Sequence, residues 1–124
     1  LSNPPILSMA ALLASLEIFQ EAGMQSLRKK SEKLTSYLEL LLNSEFEKQI
    51  EIITPISTQS RGCQLSLRLL KPVSDLTKRL NERGVICDWR KPDILRVAPV
   101  PMYNSFEDCY NFVRILKDIL NEYR

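Results

Sequence analysis

The chain has no histidine, three glycines and three cysteines in 124 residues, and each shortage removes a class of chemistry. Without histidine there is no Ser–His or Cys–His nucleophile, no imidazole base and little prospect of a transition-metal site. Gly23, Gly62 and Gly84 all stand at boundaries between predicted elements, so no glycine-rich loop exists to cradle a phosphate. Cys63, Cys87 and Cys109 are odd in number, widely spaced and set in apolar patterns. They form neither a disulfide framework nor a C-x-x-C pair, and they read as small buried hydrophobes in a reducing cytoplasm. The apolar stretch from Ile6 to Leu16 is broken by Ser8 and Ser15. It is too short to span a bilayer, and no basic segment precedes it as a signal peptide requires. Seventeen basic and fifteen acidic residues are interspersed to a net +2, which gives no reason to expect nucleic acid or an acidic membrane as partner. The first residues are Leu1-Ser2-Asn3-Pro4-Pro5, without an initiating methionine, and the expectation is a piece of a longer protein.

What is present is a helical segment followed by a mixed layer. Pro4-Pro5 suits a helix start, where the missing N–H is not needed. From Ile6 the residues Leu7, Ala10, Ala11, Leu13, Ala14 and Ile18 recur at helical spacing until Gly23. A second helix is expected from Met24 to about Leu42 along the line Met24, Leu27, Leu34, Leu38 and Leu41. Its other side, Arg28, Lys29, Lys30, Glu32 and Lys33, reads as a solvated face. After a polar connection over 43–49, Ile50-Glu51-Ile52-Ile53 is a short strand and 57–61 a loop. Cys63, Leu65, Leu67 and Leu69 then alternate with Gln64, Ser66 and Arg68, as in a half-buried antiparallel strand. A third helix is expected over 73–83, capped by Gly84 in the left-handed conformation. Strands over 85–89 and 94–98 follow, joined by a hairpin-type connection at Arg90-Lys91-Pro92-Asp93. The last helix is expected after Tyr103, with Asn104 and Glu107 as its capping box. Cys109, Phe112, Val113, Leu116, Ile119, Leu120 and Tyr123 form its apolar stripe. This order predicts an α+β fold, a small antiparallel sheet covered by helices, with a helical segment over 5–43 and a strand and helix layer over 50–124.

Two residues invite a functional question. In the fourth strand Arg96 shares a face with Ile94 and Ala98, a side the sequence makes apolar. A guanidinium there needs an anion. It is either a bidentate receptor for the carboxylate of a small acid, or the partner of one of the chain's own acids, or a strand-edge group reaching water. Asn3 stands before a Pro-Pro helix start, where asparagine is also a common cap or turn residue. Trp89, at a strand end, reads as core or interface.

Six segments carry a resemblance in one order along nearly the whole chain: Ser2-Asn3-Pro4-Pro5-Ile6-Leu7, Ala14-Ser15-Leu16-Glu17-Ile18-Phe19, Arg28-Lys29-Lys30-Ser31 with Leu34-Thr35, Arg61-Gly62-Cys63-Gln64-Leu65, Arg83-Gly84-Val85-Ile86-Cys87-Asp88, and Arg96-Val97-Ala98-Pro99-Val100-Pro101-Met102-Tyr103-Asn104-Ser105-Phe106. Together they resemble the kynureninase family. The strand arginine followed by Tyr-Asn and an acidic helix start resembles, more broadly, the small C-terminal domain of class V aminotransferase-like enzymes. Leu95 and Met102 depart from the motif by residues of like size. The resemblance implies the fold of the C-terminal domain of fold-type I enzymes dependent on pyridoxal 5'-phosphate (PLP). It implies hydrolysis of L-kynurenine or 3-hydroxykynurenine to an anthranilate and L-alanine, in tryptophan catabolism. It further implies that Arg96 binds the substrate α-carboxylate, that Asn3 reaches both substrate and cofactor, and that Ser2 neighbours it in the specificity pocket. The Schiff-base lysine would belong to a large domain not in this chain, so the chain alone is expected to be inactive. The partners implied are that large domain, the small-molecule substrate and a second copy in a homodimer. Two other readings stand beside it: a stand-alone α+β module that binds a small carboxylate, and a structural dimerisation domain.

Overall fold

A computed structural model describes residues 4–71 and 73–122. Helix α1 (Ile6–Ala22) runs into Gly23, whose φ of +77° is open to glycine without strain and whose N–H donates to the Phe19 carbonyl. Helix α2 (Met24–Phe46) leaves that joint at a bend of 77°. The two helices differ in kind. α1 is apolar on every side and buries none of its side chains, with Leu7 88 % exposed. α2 buries Leu27, Leu34, Leu38, Leu42 and Phe46 along one stripe, while Met24 stays exposed. It also continues four residues beyond the expected Leu42, because Phe46 is a core residue and holds the last turn on the sheet.

Strands β1 (Ile50–Ile52), β2 (Leu65–Leu69), β3 (Asp88–Arg90) and β4 (Ile94–Val97) form one antiparallel sheet in the order β1-β2-β4-β3. The α+β architecture expected from the pattern is the one observed. The inner face carries Ile50, Leu65, Leu67, Leu69, Leu95 and Val97, and they pack in one core with α2, α3 (Leu76–Glu82) and α4 (Phe106–Asn121). α4 supplies Cys109, Phe112, Val113, Leu116, Ile119 and Leu120, the stripe its periodicity predicts; Tyr123 lies outside the described residues. Burial of this kind, at about 25 cal/mol per Å² of apolar surface, is the main stabilising term of the fold.

Several boundaries differ from the sequence expectation, each for a local reason. α3 begins at Leu76 instead of Val73, because Asp75 takes a left-handed conformation (φ +62°) that cannot continue a right-handed helix. Gly84 is the left-handed cap expected (φ +80°). Its N–H donates to Asn81 and that of Val85 to Leu80, so Val85 closes the helix and β3 starts only at Asp88. The strands β1, β2 and β4 are likewise shorter than expected by one or two residues at an end. The 57–61 loop contains a 3-10 turn (Thr58–Ser60). The last helix is capped by Ser105 and Asp108 instead of Asn104 and Glu107. The Asn104 side chain accepts from the Val100 N–H at 2.8 Å, which fixes the turn after β4 and leaves the helix start to Ser105. No single helix among the described residues is long and apolar enough to cross a membrane.

Candidate functional site

The alternation of β2 and β4 that buries leucine and valine on one face sends Ser66, Arg68, Ile94 and Arg96 to the other. β3 adds Asp88 and Arg90 to that outer face, and β1 adds Glu51. The helices α2, α3 and α4 all bury their apolar residues against the inner face and α1 buries none, so the outer face keeps its side chains half-exposed or exposed. The neighbours of Arg96 are therefore not the apolar set its own strand suggests. Register places it between Ser66 of β2 and Asp88 of β3.

Arg96 reaches the Asp88 carboxylate through one terminal nitrogen, Nη2, at 3.0 Å. The same oxygen, Asp88 Oδ2, also takes the Arg90 Nε at 2.9 Å. The Arg96 side chain is 36 % exposed, while its Nε is buried and has no acceptor. Beside it Ser66 accepts from the Gln64 amide (3.2 Å), and the Ser66 N–H donates to the Thr54 hydroxyl (2.7 Å). The arrangement is a fixed guanidinium with one weakly held counter-ion, one unmet donor and hydrogen-bonding neighbours on an uncovered surface. Chemically it can accept a carboxylate in the two-bond geometry that guanidinium favours. The internal ion pair that the sequence left open as an alternative is also present, at Nη2 alone.

Asn3 and Ser2 lie outside the described residues, so their relation to Arg96 is not part of this geometry. Sequence reasoning missed Asp88, Ser66 and Gln64. The signal for the last two was the polar half of the β2 alternation, but only the strand register brings them to Arg96.

A second arginine, Arg61, lies in the loop expected over 57–61, but its side chain is buried. The Arg61 side chain is 2 % exposed and donates to Glu39 of α2 (2.6 Å) and to the Pro55 carbonyl (3.3 Å). Arg28 of α2, expected on a solvated face, donates to the carbonyls of Arg61 and Thr58 and pairs with Glu32. These two side chains tie the 53–64 segment to α2.

A cleft of about 460 Å³ lies past the end of β4, between α4 and the 83–87 segment, lined by Val97, Ala98, Cys87, Cys109, Asn111 and Arg114 among others. Arg96 does not line it. Burial pushes the Cys87 and Cys109 thiols up to about 11, so both are protonated and unreactive near neutral pH, as their apolar sequence context suggested. The cleft thus offers no reactive thiol, and the outer sheet face, where Arg96 stands, is the better candidate site.

Known proteins give this geometry a context. A NifS-like protein of solved structure superposes with a TM-score of 0.79 at 21 % identity, over 98 % of this chain and 35 % of its own. A C-DES mutant with glycine covalently linked to its PLP cofactor gives a TM-score of 0.73 at 18 % identity, over 88 % and 28 %. These likenesses concern the fold. In sequence, the kynureninase of Myxococcus xanthus (strain DK1622) is 56 % identical over 117 residues, 94 % of this chain and 28 % of the relative. The Homo sapiens kynureninase is 48 % identical over 129 aligned positions, 98 % of this chain and again 28 % of the relative. The chain therefore spans a little over a quarter of the length of these relatives. The family model described as "Kynureninase C-terminal domain" matches residues 27–116, a span that holds the whole sheet, all of the core but Ile119 and Leu120, and Arg96, and the chain belongs to that family.

Proposed function

We propose that this chain is the C-terminal domain of a PLP-dependent kynureninase, and that Arg96 is its receptor for the α-carboxylate of L-kynurenine or 3-hydroxykynurenine. The parent enzyme would hydrolyse the substrate side chain to anthranilate or 3-hydroxyanthranilate and L-alanine, as a cytoplasmic homodimer of tryptophan catabolism. The observation that carries the reading is the position of Arg96. It stands on the uncovered face of the sheet, inside the span the family model matches, with its Nε unmet and an ion pair to Asp88 through one nitrogen. Such a group holds a carboxylate in a defined orientation, which positions the amino-acid end of the substrate while the chemistry proceeds elsewhere on the molecule.

The described residues do not assemble a cofactor site. The glycines occur singly at element joints, and the cleft beside α4 has no lysine in its lining. PLP, when bound, supplies the electron sink of such reactions; its lysine and phosphate contacts would come from the large domain of the parent chain. Asn3 would face both cofactor and substrate, with Ser2 beside it. The exposed apolar surface of α1 supports the need for that further partner. Three unpaired cysteines are in keeping with a reducing compartment.

The test is kinetic. In the full-length parent enzyme, Arg96→Ala should raise KM for kynurenine strongly, and an unchanged KM would remove the carboxylate role. The isolated chain should neither turn over kynurenine nor develop the absorbance band of a lysine Schiff base when mixed with PLP.

A further inference from the structure

A guanidinium that awaits a carboxylate is here already in contact with one. The Arg96 contact with Asp88 is an ion pair at Nη2 alone (3.0 Å) and not an aligned two-bond pair, while the buried Nε has no acceptor. Asp88 stands on β3 directly opposite Arg96, and its carboxylate meets that guanidinium at Nη2 only. Meanwhile the same Asp88 oxygen is held by Arg90, two residues along the same strand and on the same face. Asp88 therefore has a second cation to stay with when Arg96 is taken. Both ion pairs are partly open to water, with Asp88 45 % and Arg90 60 % exposed, so the Arg96 contact is one of low cost to break.

We propose that Asp88 is a placeholder for the substrate carboxylate: it neutralises Arg96 in the empty site and gives way when substrate arrives, with Arg90 retaining it. This rests on the reading of Arg96 as the carboxylate receptor. Asp88 and Arg90 are then positioning residues that set how tightly the site takes a carboxylate, and they act through Arg96. The competing carboxylate also bears on selectivity. A ligand must present a full negative charge to displace Asp88, so a neutral amide of the same shape is excluded more strongly than by Arg96 alone.

A placeholder and a strut make opposite predictions for the removal of charge at Asp88. In the full-length enzyme, Asp88→Asn keeps the size of the side chain and removes the competitor. KM for kynurenine should fall by about two- to fivefold, the range of one exposed ion pair, with the change in KM and not in kcat. Arg90→Ala leaves Asp88 with Arg96 alone and should raise KM by about twofold. Asp88→Glu, which keeps a carboxylate, should return KM towards the parent value. Binding of the α-carboxamide analogue, measured as competitive inhibition, should improve more in Asp88→Asn than that of the corresponding acid, because the charge it cannot displace is gone. If Asp88→Asn raises KM or leaves it unchanged while Arg96→Ala still raises it, the placeholder is wrong and the carboxylate receptor stands. If Arg96→Ala leaves KM unchanged, both are wrong.

Discussion

Arg61 and Arg96 sit at two borders of the same core, and each keeps a buried Nε without an acceptor, yet the chain treats them in opposite ways. Arg61 is enclosed, with its side chain 2 % exposed and both terminal nitrogens engaged, by Glu39 and by the Pro55 carbonyl. The Arg96 side chain is partly open to solvent, and among the described residues only one of its nitrogens has a partner, itself shared with Arg90. The difference teaches what separates a structural cation from a receptor. Burial alone does not do it, because both Nε atoms are buried. The number of donors left without a partner, and whether solvent or a ligand can reach them, does.

The comparison breaks first at its structural side. Arg61→Ala leaves Glu39 in a mostly enclosed position without its cation, and Glu39→Ala does the converse. Either should cost about 3–5 kcal/mol in urea unfolding, the range for breaking a buried pair from one side. Replacing both by apolar residues of like volume, Arg61→Met with Glu39→Leu, should recover most of that loss. Arg96→Ala should behave differently. It should raise KM of the full-length enzyme by about 10- to 100-fold, the equivalent of a charge-assisted contact, and shift unfolding free energy by no more than about 1 kcal/mol. A loss of stability equal to that of Arg61→Ala would collapse the distinction.

A control lies on the same outer face. Arg68 pairs with Glu51 at 2.8 Å and with Asp93 at 3.7 Å, all three partly exposed. Glu51→Ala should change stability by less than about 1 kcal/mol and leave KM alone, because an exposed pair that is one of two adds little. The smallest effects are those of pH. Asp108 is held below the usual carboxylate range by the Ser105 N–H and then its hydroxyl. Glu122 is held down by a hydrogen bond from Arg79, then by the charges of Arg79 and Arg83. Both carboxyls bind protons less readily folded than unfolded, so their contribution is complete above the unfolded value of about 4 and fades as pH falls through the folded ones. Acid titration followed by circular dichroism should show a shallower loss in Ser105→Ala than in the parent chain.

The sequence disclosed periodicity well and partnership poorly. The stripe of α4 and the alternation of β2 were legible because one face of each must be apolar, and both appear as read. The helix start was misplaced by one residue because Asn104–Glu107 and Ser105–Asp108 are two overlapping boxes. The choice between them depends on Val100, which takes up Asn104. The residues 85–87 look like a strand, but Val85 closes the α3 cap and Cys87 lines the cleft. Arg96 was singled out by its apolar strand, and that much was readable. Its true neighbours, Asp88 and Ser66, come from strands whose register is a long-range property. The Arg61–Glu39 pair spans 22 positions and carried no local signal at all.

The joint at Gly23 has a practical side. Every side chain of the buried core belongs to residue 27 or later, and the family model matches from that same residue. A chain cut at the glycine would lose seventeen helical residues and the exposed apolar side chains of α1, but no part of the core. The fold thus supplies its own place to trim. The portion from Gly23 onward keeps the sheet, its covering helices and the outer-face arginine without the exposed apolar surface of α1.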